Sequence, residues 1–296
     1  MNPGQAAGEL AGLLAATGDP ERATGEAAYL KSNLHFFGVR VPDVRRAVKA
    51  ALRAGRPTHH EAFALADGLW GRQVDGRAVH ECRLAAVEVL MASPKLVTAA
   101  DLPWIEARLR ECGTWALVDP LAGAVAAALA VREPVATLPV LDRWVSDPDF
   151  WVRRSAVLAI RGPLAAGREH ARFYGYAAAL LPEREFFIRK VLGWALREEA
   201  ARRPAEVEAW LRAHMAQMNL VTLREPLRKF PPAMAADLRR AYDTRRNSAH
   251  VVSVARRPPY TCAASVPAWR RTSSNQIAAT GPDSRSISVS QLVKRR

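Results

Sequence analysis

Phe150-Trp151-Val152-Arg153-Arg154 is echoed by Phe186-Phe187-Ile188-Arg189-Lys190, 36 residues further along the chain. The same step taken from Trp115 lands on Trp151, Phe187 and Leu223, and one step back lands on Val79. All five positions are apolar. A fixed period of this size is the signature of helical-pair repeats, in which each unit buries its apolar face only by stacking on its neighbours. The fold expected is therefore all-α, a helical-repeat solenoid of stacked antiparallel helix pairs with a concave face.

Working outward, the composition agrees. Ala, Leu, Arg and Glu dominate and runs of β-branched residues are scarce, which favours helix over strand. With 296 residues the chain would suggest about two domains by length, but a solenoid grows in one dimension and escapes that count. Proline and turn signals divide residues 1–243 into successive helices: about 6–15, a second up to Ser32, 42–53, 59–70, 76–93, 101–110, 114–130, 134–146, 148–161, 167–181, 183–202, 204–216, 219–229 and 231–243. The short connections imply antiparallel neighbours. From Thr244 the periodicity stops, and residues 244–296 are expected to be a basic, disordered tail.

The formal net charge of +14 argues for a polyanionic partner, but it is unevenly spread. From Thr244 onward ten Lys and Arg face one Asp, a net of +9, leaving +5 for the repeats. The body's charge thus matters only where it clusters. Cys82, Cys112 and Cys262 are widely spaced and lack any metal-ligand pattern, so neither disulfides nor zinc are expected. The N-terminus shows no secretory signal. The longest apolar run, from Pro120 to Val131, is too short to span a bilayer and reads as a buried helix. A cytoplasmic monomer is the expectation, with no membrane association and no cofactor.

Thr114-Trp115-Ala116-Leu117-Val118-Asp119 places an indole and a carboxylate one helical turn apart on the same face. Anchoring each repeat at its aromatic puts Asp119 at +4, Arg154 at +3 from Trp151, and Trp194 at +7 from Phe187, all within about 60° of one line. Arg153, Arg189, Lys190 and Arg197 surround them with positive charge. A groove of aromatics, one acid and several bases suits a duplex backbone with an electron-poor centre. Competing accounts stand beside this one. Trp151 and Phe187 at a common repeat position fit core packing, and the two basic pairs fit solvated faces. Asp119 precedes Pro120, a good N-cap and first-turn pair. If Thr114 is the cap instead, Pro120 lies inside a helix and removes a backbone hydrogen bond. His59-His60 has no ligand partners and reads as structural.

Across about residues 20–230 the chain resembles the AlkD-type DNA alkylation repair family, the bacterial HEAT-like-repeat DNA glycosylases. Four segments carry the resemblance: Tyr29-Leu30-Lys31 with Phe36-Phe37-Gly38-Val39-Arg40-Val41-Pro42; Trp115-Ala116-Leu117-Val118-Asp119; Trp151-Val152-Arg153-Arg154; and Glu185-Phe186-Phe187-Ile188-Arg189-Lys190 running into Gly193-Trp194-Ala195-Leu196-Arg197-Glu198. Leu223-Arg224-Glu225-Pro226-Leu227-Arg228-Lys229 resembles the family's last helix more loosely. The resemblance implies a HEAT-like fold and a monofunctional, metal-independent DNA glycosylase. Its activity would be excision of N7- and N3-alkylated purines from duplex DNA without flipping the base into a pocket. It also implies roles: Asp119 as the catalytic carboxylate, Trp115 and Trp194 as cleft walls, Arg154 as a DNA-contacting arginine, and Tyr29 and Arg197 lining the same cleft. Arg153, Arg189, Lys190 and Arg40 complete the expected DNA-binding set, at the nucleoid. Two positions depart from the family: Ala116 lacks the acid often found after this Trp, and Arg40 stands where a Gln can occur. The alternative is a non-catalytic scaffold that binds nucleic acid or protein.

Overall fold

Prolines and short polar caps start most of the helices, because a first-turn Pro has no N–H to leave unsatisfied and a side-chain oxygen satisfies the next one. The computed structural model describes residues 1–255, with side chains through residue 246. Asn2 caps α1 (Pro3–Ala16) and Asp19 caps α2 (Pro20–Leu30). Then come α3 (Val41–Gly55) and α4 (His59–Trp70), the latter opened by a reciprocal Thr58–Glu61 capping box. A hairpin of β1 (Gln73–Val74) and β2 (Arg77–Ala78) leads into α5 (His80–Ala92). The chain continues through α6 (Leu102–Glu111), α7 (Trp115–Arg132), α8 (Pro134–Trp144), α9 (Phe150–Ala165), α10 (His170–Leu180), α11 (Phe186–Ala200), α12 (Pro204–Ala213), α13 (Leu220–Leu227) and α14 (Pro232–Ala255).

The helices alternate between two layers. In one layer α5, α7, α9, α11 and α13 pack in sequence against one another, and α4, α8, α10 and α12 pack against members of that row from outside. This is the helical-repeat architecture that the 36-residue register predicts. Val79 precedes α5, Trp115 opens α7, Trp151 and Phe187 are second in α9 and α11, and Leu223 lies in the first turn of α13. Val79, Trp151 and Leu223 are buried, so core packing accounts for them, whereas Trp115 and Phe187 are half-buried. Close approach within the row requires small residues. A Cβ on Gly162 would lie 2.7 Å from the backbone oxygen of Ala127, which holds α9 against α7.

Two expectations are corrected. The sequence predicts helix from residue 76, but Asp75 and Gly76 both adopt positive φ and close the hairpin instead. The last helix is expected over 231–243, yet α14 runs on to Ala255. Neither Pro nor Gly occurs between Pro232 and Pro258, so nothing in that stretch breaks the helix. The rest of the expected tail, and Cys262, lie outside the described residues. Cys82 and Cys112 are buried free thiols.

The Phe36–Pro42 loop is held from within the repeat row. The buried carboxylate of Glu81 accepts hydrogen bonds from the backbone N–H groups of Phe37 (3.0 Å), Gly38 (2.6 Å) and Val39 (3.2 Å). Gly38 supplies the positive φ of 81° that turns these three donors toward one anion. Next to it His80 is buried, stacks on Phe36 at 4.7 Å, and has no hydrogen-bond partner on either ring nitrogen. Burial pushes its pKa down to about 4. The folded state therefore binds fewer protons than the unfolded chain between about pH 6.5 and 4, and stability falls on acidification through that window. Replacing His80 by Phe is expected to remove up to about 3 kcal/mol of that pH dependence, read as the difference between denaturant midpoints at pH 7 and pH 4 in the two proteins.

Candidate active site

Thr114, not Asp119, caps α7: its hydroxyl accepts from the Ala116 backbone N–H at 3.3 Å. Pro120 therefore falls inside the helix, where it cannot donate to the carbonyl one turn back. The backbone answers by widening into a π-helical segment over Leu121–Ala126 before returning to α-helix. The capping account of Asp119 is thereby overturned. Its carboxylate sits in mid-helix, one turn beyond Trp115, and is spent on another helix.

That partner is Arg154 on α9. Its Nε and Nη2 donate to the two carboxylate oxygens of Asp119, each at 2.8 Å, and its Nη1 donates to the Phe187 carbonyl at 2.6 Å. The fork geometry of a guanidinium matches a carboxylate in this way and fixes its plane. The Arg154 side chain is 1% exposed and that of Asp119 is 21% exposed. Arg154 therefore lies beneath the surface with its charge compensated by Asp119. Asp119 keeps an accessible edge.

The remaining aromatics gather around this pair. The Arg154 guanidinium lies 5.4 Å from the ring centre of Trp194, and the Lys190 ammonium 5.7 Å from the same ring, both within cation–π range. Tyr29, 70% exposed at the end of α2, meets Trp115 edge-on at 6.2 Å. Tyr29, Trp115, Asp119, Arg154, Trp194 and Lys190 thus form one connected face contributed by α2, α7, α9 and α11.

Glu225 on α13 extends the face; the sequence places it in the looser fifth segment and assigns it no role. It accepts from Lys190 Nζ at 3.1 Å and Arg197 Nη1 at 2.7 Å, and its side chain is 6% exposed. Asp119–Arg154 and Lys190–Glu225 are each 35 residues apart: Lys190 occupies the Arg154 position of the next repeat but takes its acid from the following repeat, whereas Arg154 takes its acid from the preceding one. That spacing is visible in the sequence once the period is known. Room for Glu225 comes from Gly193, where a Cβ would stand 2.9 Å from the Glu225 Cγ.

Two of the expected DNA contacts have partners within the protein. Arg153 binds Glu183 at 3.0 Å and the Asp147 carbonyl at 2.6 Å, and Arg189 donates to the Glu183 carbonyl at 2.8 Å. Both hold the loop before α11 through Glu183, and both stay partly exposed. Arg40 opens α3 from the anchored loop, exposed, with no hydrogen-bonded or ionic partner for its side chain among the described residues. No group of three or more His, Cys, Asp or Glu able to hold a metal ion occurs among the described residues. The outcome is a carboxylate held in one plane by a buried guanidinium, flanked by indoles and by partly exposed cations.

A protein-family model described as DNA alkylation repair enzyme matches residues 11–230. Among solved structures, a "predicted DNA alkylation repair enzyme" from Enterococcus faecalis has the same fold, with a TM-score of 0.63 and 18% identity over 71% of this chain and 94% of that one. No curated protein matches the chain.

Proposed function

The chain belongs to the DNA alkylation repair enzyme family, and from that premise we propose that it is a monofunctional DNA glycosylase. Its substrates on this reading are N7- and N3-alkylated purines in duplex DNA. The observation that carries it is the Asp119 carboxylate, oriented by Arg154 and left partly open beside Trp115 and Trp194.

The chemistry asks little of the protein. A purine alkylated at N7 or N3 is already cationic, so it leaves as a neutral base with the electron pair of the N-glycosidic bond and needs no strong general acid. Positive charge then develops on the deoxyribose. A fixed carboxylate offsets that charge without reorganising, and water adds at C1′, losing its proton to Asp119 or to solvent. The indoles favour the same cationic sugar through their π faces. Catalysis of this kind works on a lesion that stays in the duplex, where a pocket for a flipped base is not required. Backbone affinity comes from the partly exposed cations Lys190 and Arg197 and from Arg40, which read no sequence.

Incubation with duplex DNA carrying N7-methylguanine is expected to release the free base and leave an abasic site. Duplex binding without release from any alkylated substrate overturns the catalytic reading and favours a scaffold that binds nucleic acid.

A further inference from the structure

Lys190 and Arg197 are about 30% exposed, yet both are held by the same 6%-exposed carboxylate. Arg228 approaches it as well, at 3.5 Å. A carboxylate this buried is rarely left without partners, and here its partners are the cations that line the face beside Trp194. Gly193 gives up its side chain to admit it. Resting on the reading above that the face binds duplex DNA, we propose that Glu225 is a positioning residue that sets the strength of backbone binding. It is an intramolecular counter-anion that competes with phosphate for Lys190 and Arg197 and that holds Lys190 against Trp194.

The physical consequence is a brake on non-specific affinity. Each phosphate neutralised by a protein cation releases condensed counter-ions, so the number of such contacts is read from the salt dependence of binding. Lys190 and Arg197 are partly neutralised before DNA arrives and contribute less than two full contacts. Without the Glu225 charge they contribute fully, and undamaged DNA is held more tightly. Of the two cations against the Trp194 ring, Lys190 is then no longer held in place, while Arg154 remains. Glu225 thereby trades affinity for any duplex against a defined pose of the indole beside Asp119.

The test is binding of the full chain to an undamaged duplex of defined length across a salt series, alongside single-turnover base release. Glu225→Gln is expected to bind several-fold tighter at low salt, with a slope of log K against log salt steeper by about one to two. Adding Lys190→Met and Arg197→Met to it is expected to abolish the gain. A structural role alone lowers stability and leaves the slope unchanged, and an unchanged slope in a folded Glu225→Gln protein overturns the proposal, as does a gain that survives the triple substitution. Should Glu225→Gln fail to fold, Lys190→Met decides: its slope is expected to change by less than one full contact, and a loss of a whole contact overturns the brake. The two readings fail separately. Wild-type binding with the expected slopes and no base release removes the glycosylase activity and keeps the brake, whereas base release with an unchanged slope does the reverse. Absence of any duplex binding removes both.

Discussion

Asp119→Asn is expected to lower base release from N7-methylguanine duplex by about 10²–10³-fold, the usual loss when a preorganised electrostatic group is removed. Duplex affinity should stay within a few-fold. The substitution keeps the size of the side chain and removes its charge, so it isolates the offset of charge on the sugar. It also turns one acceptor into an NH2 that faces an Arg154 donor, both of whose contacts to Asp119 are 2.8 Å in the native protein. A stability loss of about 1–2 kcal/mol should accompany it, so the rate is read in single turnover with enzyme in excess and corrected for the folded fraction. Excision by the folded variant at a near-native rate would remove Asp119 from the mechanism.

Arg154 carries the second large effect, and its two replacements separate orientation from charge. Arg154→Met leaves a carboxylate that is 21% exposed without its partner. Breaking a fully buried pair costs about 3–5 kcal/mol. Access of Asp119 to water reduces this, and about 2–4 kcal/mol is expected from denaturant midpoints. Arg154→Lys restores a positive charge but not the two-pronged contact, nor the bond to the Phe187 carbonyl. It should recover much of the stability while base release stays at least tenfold down, since a carboxylate free to rotate no longer meets the sugar in one plane. The salt dependence of duplex binding distinguishes this role from that of a phosphate grip. An orienting Arg154 leaves the slope unaltered in Arg154→Met, which removes the charge, whereas a slope made shallower by about one contact would assign Arg154 to the DNA interface.

Much of the architecture was legible because helical repeats write their packing locally. The apolar positions at Val79, Trp115, Trp151, Phe187 and Leu223 follow the period of the stack, and Pro and cap residues mark the helix starts within a few positions. The hairpin escaped notice because its strands are two residues each, too short to show an alternating pattern. The helical path beyond residue 243 did so because residues 244–255 show no regular apolar periodicity in the sequence. At the site, Trp115, Asp119, Arg154, Trp194, Lys190 and Arg197 could be grouped by wheel position and resemblance, since residues on one face of stacked helices meet.

What each charge does is another matter. Arg153 and Arg154 are adjacent in sequence, yet one pins a loop through Glu183 and the other orients Asp119 from beneath the surface. Asp119-Pro120 reads equally well as a cap or as a mid-helix conflict until the hydrogen bond from Ala116 to Thr114 chooses between them. Glu225 was invisible as a functional residue although it lies one repeat from Lys190. By itself the sequence determined the repeat, its period and the set of residues sharing a face, because burial of apolar side chains obeys the periodicity of the helix. The tertiary structure alone decided which acid holds which base and which cations stay exposed, because ion pairs form across neighbouring repeats and depend on ångström-scale distances that no spacing along the chain records.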